Sequence, residues 1–173
     1  MKINFFRIII FSFVIFFLLI FFLGLKKNSN YNTKNLIGSK ISSFLLPSIY
    51  SSHLISEEAL KQNQFTLINF FASWCAPCRQ EHKYLLKLNN QNKNIKILGI
   101  NFKDKKNNAL IFLNELGNPY NSVLEDPDGR ASVLFGIYGI PESILINKEL
   151  TIIKKIIGPI DKKQFEEILN LTL

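Results

Sequence analysis

Residues 69–82 read NFFASWCAPCRQEH and hold the only two cysteines of the chain, Cys75 and Cys78. The segment FTLINFFA (65–72) is a short, continuous apolar run of the kind that forms a buried strand. From Pro77 to Asn89 the pattern turns helical. Pro77 suits a first turn, and Tyr84, Leu85 and Leu88 fall on one face. The cysteines therefore sit where a strand passes into a helix, with Cys75 at the helix N-terminus and Cys78 one turn inside.

Four chemistries use two cysteines at this spacing. A structural zinc site needs four ligands. Here it would require Cys75, Cys78, His53 and His82 together, without the customary long loop between ligand pairs. Haem attachment needs Cys-x-x-Cys-His, and Arg79 occupies the histidine position. A purely structural disulfide would close a very small loop and stabilise little, because the entropic gain grows with loop size. Redox exchange fits the local physics. The positive end of the helix dipole favours a thiolate at Cys75, which makes it the exposed nucleophile. Cys78 would then resolve the mixed disulfide. Trp74, the only tryptophan, abuts the pair and would cover it from one side; an ordinary core aromatic is the competing reading.

The rest of the chain gives an α/β pattern. IKILGINF (95–102) is a second buried strand, and KNNALIFLNELG (106–117) is a helix that stops at Gly117 with Pro119 beyond it. SVLE (122–125) is a third strand and DPDG (126–129) a turn. RASVLFG is a short helix. SILIN (143–147) and TIIKKIIG (151–158) form a hairpin. DKKQFEEILNLTL closes as a helix capped by Asp161. Strands that alternate with helices and end in a hairpin predict a mixed central sheet with helices on both faces.

At the N-terminus, residues 8–25 carry no charge. Eighteen helical residues reach about 27 Å, close to a bilayer core of roughly 30 Å. The run is longer than a usual signal core and no small-residue cleavage site follows it, so an uncleaved anchor over residues 1–27 is expected rather than a cleaved leader. Residues 28–40, rich in Asn and Ser, read as a linker to a domain over 41–173. Lys2 and Arg7 precede the span, and Lys26, Lys27, Lys34 and Lys40 follow it. That count alone mildly favours a cytoplasmic domain, though large domains translocate whatever their charge. The net charge of +8 comes from 18 Lys against three Arg, scattered along the chain. With no recognition motif or arginine stripe, nucleic acid is not an expected partner. Contact with lipid is expected through the anchor, and anionic lipid is a minor further candidate.

ASWCAPCRQEH resembles a thioredoxin-fold active site, and GIYGIPESILIN (136–147) resembles the segment that carries the facing cis-proline, here Pro141. With NFKDKKNNALIFLNELGNPY (101–120) and LIGSKISSFLLPSI (36–49), the chain resembles the DsbE/CcmG thiol:disulfide interchange proteins of cytochrome c biogenesis. The resemblance covers nearly everything beyond the anchor and implies a thioredoxin-like fold. It also implies a single N-terminal transmembrane helix in the inner membrane and a domain on the periplasmic side, against the lysine count. The implied activity is reductive: keeping the haem-binding thiols of apocytochrome c, or a CcmH-type assembly protein, reduced in an oxidising compartment. A DsbD- or CcdA-type membrane protein would supply the electrons, and no cofactor or metal is expected. Two other readings stay open, a general periplasmic thioredoxin-like reductase and a non-catalytic apocytochrome-binding module.

The resemblance also frames the proton chemistry. Pro141 in cis would set Ile140 backbone groups beside Cys75 to pair with an extended substrate. Ordinary thioredoxins carry a buried Asp six positions before the first cysteine; here that position is Asn69, which cannot take the Cys78 proton. Glu81, three residues after Cys78, and Glu142, after Pro141, are the candidate acceptors. For each, the competing reading is a solvated surface glutamate, and Glu142 is favoured because it lies in the more family-specific motif.

Overall fold

A computed structural model describes residues 2–25 and 36–173. The chain divides near residue 32 into two units. In the first, α1 (Lys2–Leu25) is one uninterrupted helix. Its stretch Phe6–Gly24 is long and apolar enough, by length and composition, to cross a membrane, and apolar side chains are exposed all around it. A helix apolar on every side has no single face to bury against a soluble core.

The second unit follows the order β1 (Leu45–Pro47), β2 (Leu54–Ser56), a 3-10 helix (Glu57–Gln62), β3 (Phe65–Phe71), α2 (Ala76–Gln91) and β4 (Ile95–Phe102). It continues with α3 (Lys106–Leu116), β5 (Ser122–Asp126), α4 (Arg130–Leu134), β6 (Glu142–Asn147), β7 (Ile152–Ile157) and α5 (Lys162–Thr172). The main sheet runs β5-β4-β3-β6-β7. β3, β4 and β5 are parallel, and β6 and β7 are antiparallel additions. β1 and β2 pair separately, antiparallel.

The topology decides which face α2 and α3 cover. The crossovers β3-α2-β4 and β4-α3-β5 step the same way across the sheet, so the right-handed rule places α2 and α3 on one face. β6 runs antiparallel to β5, so that rule does not cover the return past β4 and β3, and the side of α4 follows from the packing after it. The packing agrees. Leu67 and Phe71 of β3 join Leu85 and Leu88 of α2, Phe112 of α3 and Ile168 of α5 in one buried cluster. Ile68 and Phe70 face the other way, toward Phe135 and Ile137 after α4, with Phe44 and Leu60. Alternation along a strand produces this division.

Helix ends carry their expected devices. Asp161 caps α5 through a capping box with Gln164, and Gly117 ends α3 at φ +86°, a backbone conformation that side-chain-bearing residues rarely adopt. Of the expected linker 28–40, residues 28–35 lie outside the described residues. Its last part belongs to the folded unit: Gly38 N–H donates to Ile152 O (2.9 Å) and Ser39 O accepts from Ile152 N–H (2.8 Å).

Candidate active site

The cysteines stand where β3 hands the chain to α2. Cys75 is the N-cap of α2 in extended conformation, and its sulfur accepts from the Cys78 N–H at 3.2 Å. A helix start leaves its first N–H groups without intrahelical partners, so this sulfur takes the place of a serine or aspartate cap. The two cysteines are joined in a disulfide. Cys75 is 3% exposed and Cys78 2%. The expected contrast in exposure is therefore not present in the disulfide form, and the capping position is what distinguishes Cys75. The turn before it is clamped by the loop after β4. Ser73 N–H donates to Asp104 Oδ2 (2.7 Å), and the Trp74 indole N–H donates to Lys103 O (3.1 Å). Trp74 itself is exposed.

The Ile140–Pro141 bond is cis. Glu142 pairs with Phe70 across β3 and β6, so Pro141 lies at the same end of the sheet as the cysteine turn. Ile140 packs on the cluster that contains Cys75 and Cys78.

The two glutamates part company on the sheet. Residues in register share a face. Glu142 is opposite Phe70, whereas Ser143 is opposite Asn69. The Glu142 side chain thus belongs to the face away from α2, while the cysteine pair packs in the cluster on the α2 face. Its carboxylate is also held on that side by hydrogen bonds to one oxygen and an ion pair to the other, which makes no hydrogen bond. Oε1 accepts from the N–H groups of Tyr138 and Gly139 (3.2 Å each), and Oε2 is 3.1 Å from the buried Lys155 ammonium. Lys155 donates in turn to Gly136 O (2.6 Å). Glu142 is therefore a clamp on the 136–141 loop, which corrects the sequence-based preference for it as proton acceptor.

Glu81 is not a solvated surface residue either. It is 1% exposed, on the buried face of α2 with Cys78, Leu85 and Leu88. Oε1 accepts from Asn69 Nδ2 (2.8 Å) and Oε2 from Ile160 N–H (2.8 Å). Burial raises its pKa to about 7, opposed by these two hydrogen bonds. A carboxyl poised near neutrality one helical turn from the resolving cysteine can accept or return a proton under physiological conditions.

Three residues of this network escaped the sequence reading. The Tyr120 hydroxyl donates to Asn69 Oδ1 (2.7 Å), and Asn69 Nδ2 also donates to Ser143 Oγ (3.0 Å). Gly99 lies opposite Asn69 on β4. A Cβ there would meet the Tyr120 ring at 2.9 Å. A glycine inside an otherwise apolar strand is the sequence signal for such a close approach. His82, a zinc candidate by composition, instead has Nε2 2.7 Å from Gly117 O, and burial lowers its pKa.

Comparison with known proteins agrees with this geometry. The Redoxin family pattern matches residues 38–171. The thiol:disulfide interchange protein CycY of Rhizobium leguminosarum bv. viciae is 48% identical over 61% of this chain and 55% of its own length. The thiol:disulfide interchange protein DsbE of Allochromatium vinosum is 33% identical over 83% of this chain and 79% of its own. Among solved structures, a putative DsbE from Chlorobium tepidum superposes with a TM-score of 0.68 at 25% identity, covering 78% of this chain and 93% of that one. A thioredoxin-like fold, a disulfide at the mouth of α2 and these relatives lead to one conclusion: the chain belongs to the Redoxin family as a DsbE/CycY-type thiol:disulfide oxidoreductase.

Proposed function

We propose that this oxidoreductase works as a membrane-anchored periplasmic reductant in c-type cytochrome maturation. The reduced protein delivers two electrons to a disulfide in apocytochrome c, or in a CcmH-type assembly partner. α1 is its single-pass anchor in the inner membrane, and a DsbD- or CcdA-type membrane protein restores the dithiol. The reading rests on the motif resemblance around residues 101–120 and 136–147, on the span Phe6–Gly24, and on the names of the relatives above. The observation that carries the chemistry is the Cys75–Cys78 pair at the N-terminus of α2.

The geometry supports this order of events. Cys75, as thiolate at the helix N-terminus, attacks one sulfur of the substrate disulfide and releases the other as a thiolate. A Cys75–substrate mixed disulfide results. Cys78 gives its proton to Glu81 and attacks Cys75 Sγ, and the second substrate sulfur leaves. Both substrate sulfurs leave as thiolates and take their protons from solvent, so the substrate is now a dithiol, the protein holds the Cys75–Cys78 disulfide, and two electrons have passed. On re-reduction Glu81 can supply a proton to the departing Cys78 thiolate. Pro141 and the loop clamped by Glu142 and Lys155 hold the substrate backbone beside Cys75.

Trapping tests the reading. Cys78→Ser, expressed in a cytochrome-producing periplasm, should accumulate a Cys75-linked mixed disulfide with an apocytochrome or its assembly protein, identified by mass spectrometry. Adducts drawn broadly from periplasmic proteins, with no apocytochrome or assembly protein among them, would instead indicate a general reductase.

A further inference from the structure

Asn69 occupies the middle of β3, fully buried between β4 and β6. We propose that Asn69 and Tyr120 are positioning residues of the exchange reaction, together holding the Glu81 carboxyl in one hydrogen-bonded orientation and so governing its proton exchange with Cys78. The inference rests on the reading of Glu81 as the base.

The amide has one arrangement that satisfies its neighbours. Nδ2 has two hydrogens, one on Glu81 Oε1 (2.8 Å) and one on Ser143 Oγ (3.0 Å). Oδ1 accepts from the Tyr120 hydroxyl (2.7 Å). Turning the amide over would set its oxygen against an ionised Glu81, with no hydrogen between the two acceptors. The Tyr120 hydrogen bond resists that turn, so it fixes the donating edge toward the carboxylate. Bonds to a charged acceptor are the stronger kind.

Tyr120 is itself held firmly. Its ring stacks on Phe71 with centroids 4.8 Å apart, in the space left by the absent side chain of Gly99. Its N–H donates to Asn118 Oδ1 (2.9 Å), and Asn121 next to it is tied to Ile97, its N–H donating to Ile97 O (2.8 Å) and its Oδ1 accepting from Ile97 N–H (2.8 Å). The chain thus places a phenol under the amide, and the amide under the carboxyl, from three separate elements.

The titratable groups facing Glu81 are few. From the loop before β5 comes Tyr120, whose hydroxyl is kept protonated by burial and by the charge on Glu81. From its own helix comes the Cys75–Cys78 pair. β3 offers the neutral Asn69, backed by Ser143 of β6, and the segment before α5 offers the Ile160 N–H. Lys155 and Glu142 are paired with each other, on strands whose register points Glu142 to the opposite face. With no cation beside it among the described residues, the carboxylate depends on the Asn69 and Ile160 donors to offset burial.

The test uses full-length protein in detergent with 13C-labelled glutamate carboxyls, Glu81 being identified by its loss in Glu81→Gln. Asn69→Leu should move the Glu81 titration upward by about one unit, the effect of losing one donor to a charged group. Tyr120→Phe keeps the ring and its stack, removes only the hydroxyl, and should move the titration in the same direction by less. Release of a Cys75-linked mixed disulfide, followed from pH 5 to 9, should shift to higher pH alongside. An unmoved Glu81 titration in folded Tyr120→Phe and Asn69→Leu overturns the inference. A displaced titration with an unchanged release profile supports the hydrogen-bond coupling but overturns Glu81 as the base.

Discussion

Replacing Glu81 by glutamine should change how stability depends on pH, by an amount that the structure sets. Glu81 has its pKa raised from 4.5 to about 7 in the folded protein, mainly by burial. Between those values the folded state keeps a proton that the unfolded state has lost. Stability therefore falls as pH rises, because the slope follows the difference in protons bound by the unfolded and native states. The stabilising contribution of the protonated carboxyl is complete below about pH 4.5 and gone above about 7. Integrating the two titrations from pH 5 to pH 8 gives a loss of about 2.5 kcal/mol from this one residue.

Glutamine does not titrate, so Glu81→Gln should lack that loss. It has its own cost. One end of the amide would bring N–H hydrogens against the donors of Asn69 or Ile160, and an unsatisfied buried group costs about 1–3 kcal/mol. That cost does not vary with pH and cancels in a double difference. Urea unfolding of the oxidised wild type and Glu81→Gln at pH 5 and pH 8 measures it. The variant should gain on the wild type by about 2–3 kcal/mol between the two pH values. A double difference near zero would mean that Glu81 titrates as a surface carboxyl, and the argument from its burial would fall with it.

Lys155→Met leaves Glu142 buried without its cation and should cost about 3–5 kcal/mol, read as a lower urea midpoint; a loss under about 1 kcal/mol would mean that the pair is not buried as described. Gly99→Ala places a Cβ 2.9 Å from the Tyr120 ring and 3.0 Å from Phe71, so it should destabilise by about 1–3 kcal/mol through overpacking. It should also loosen Tyr120, seen as a changed tyrosine near-ultraviolet signal; unchanged stability and spectrum would contradict the close approach.

Much of this architecture is legible in the residues. The β4 strand matches the run IKILGINF, since a strand buried on both sides needs a continuous apolar stretch. The Asp161 cap and the stop at Gly117 were readable because capping and positive φ select few residue types. The β1–β2 pair and the 3-10 helix were not. Strands of three residues are too short to show a period, even though β1 and β2 pair with each other close in sequence. The fate of Glu81 was half legible. It falls four residues before Leu85 and seven before Leu88, on the buried face. Its charge argues for solvent, and only the tertiary donors Asn69 and Ile160 reverse that. For Glu142, motif membership does not reveal the face of the sheet, which depends on the pairing of Phe70 rather than Asn69 with it.

The central claim is that Cys75 attacks and Cys78 resolves. Purified Cys75→Ser and Cys78→Ser proteins, each mixed with a peptide carrying an internal disulfide, decide it by intact-mass analysis over time. The expected results are a stable peptide adduct on Cys78→Ser, none on Cys75→Ser, and fast stoichiometric conversion to free dithiol peptide with the pre-reduced wild type alone. Equal adduct formation on both variants, or an adduct confined to Cys75→Ser, would contradict the assignment made from the N-cap position of Cys75.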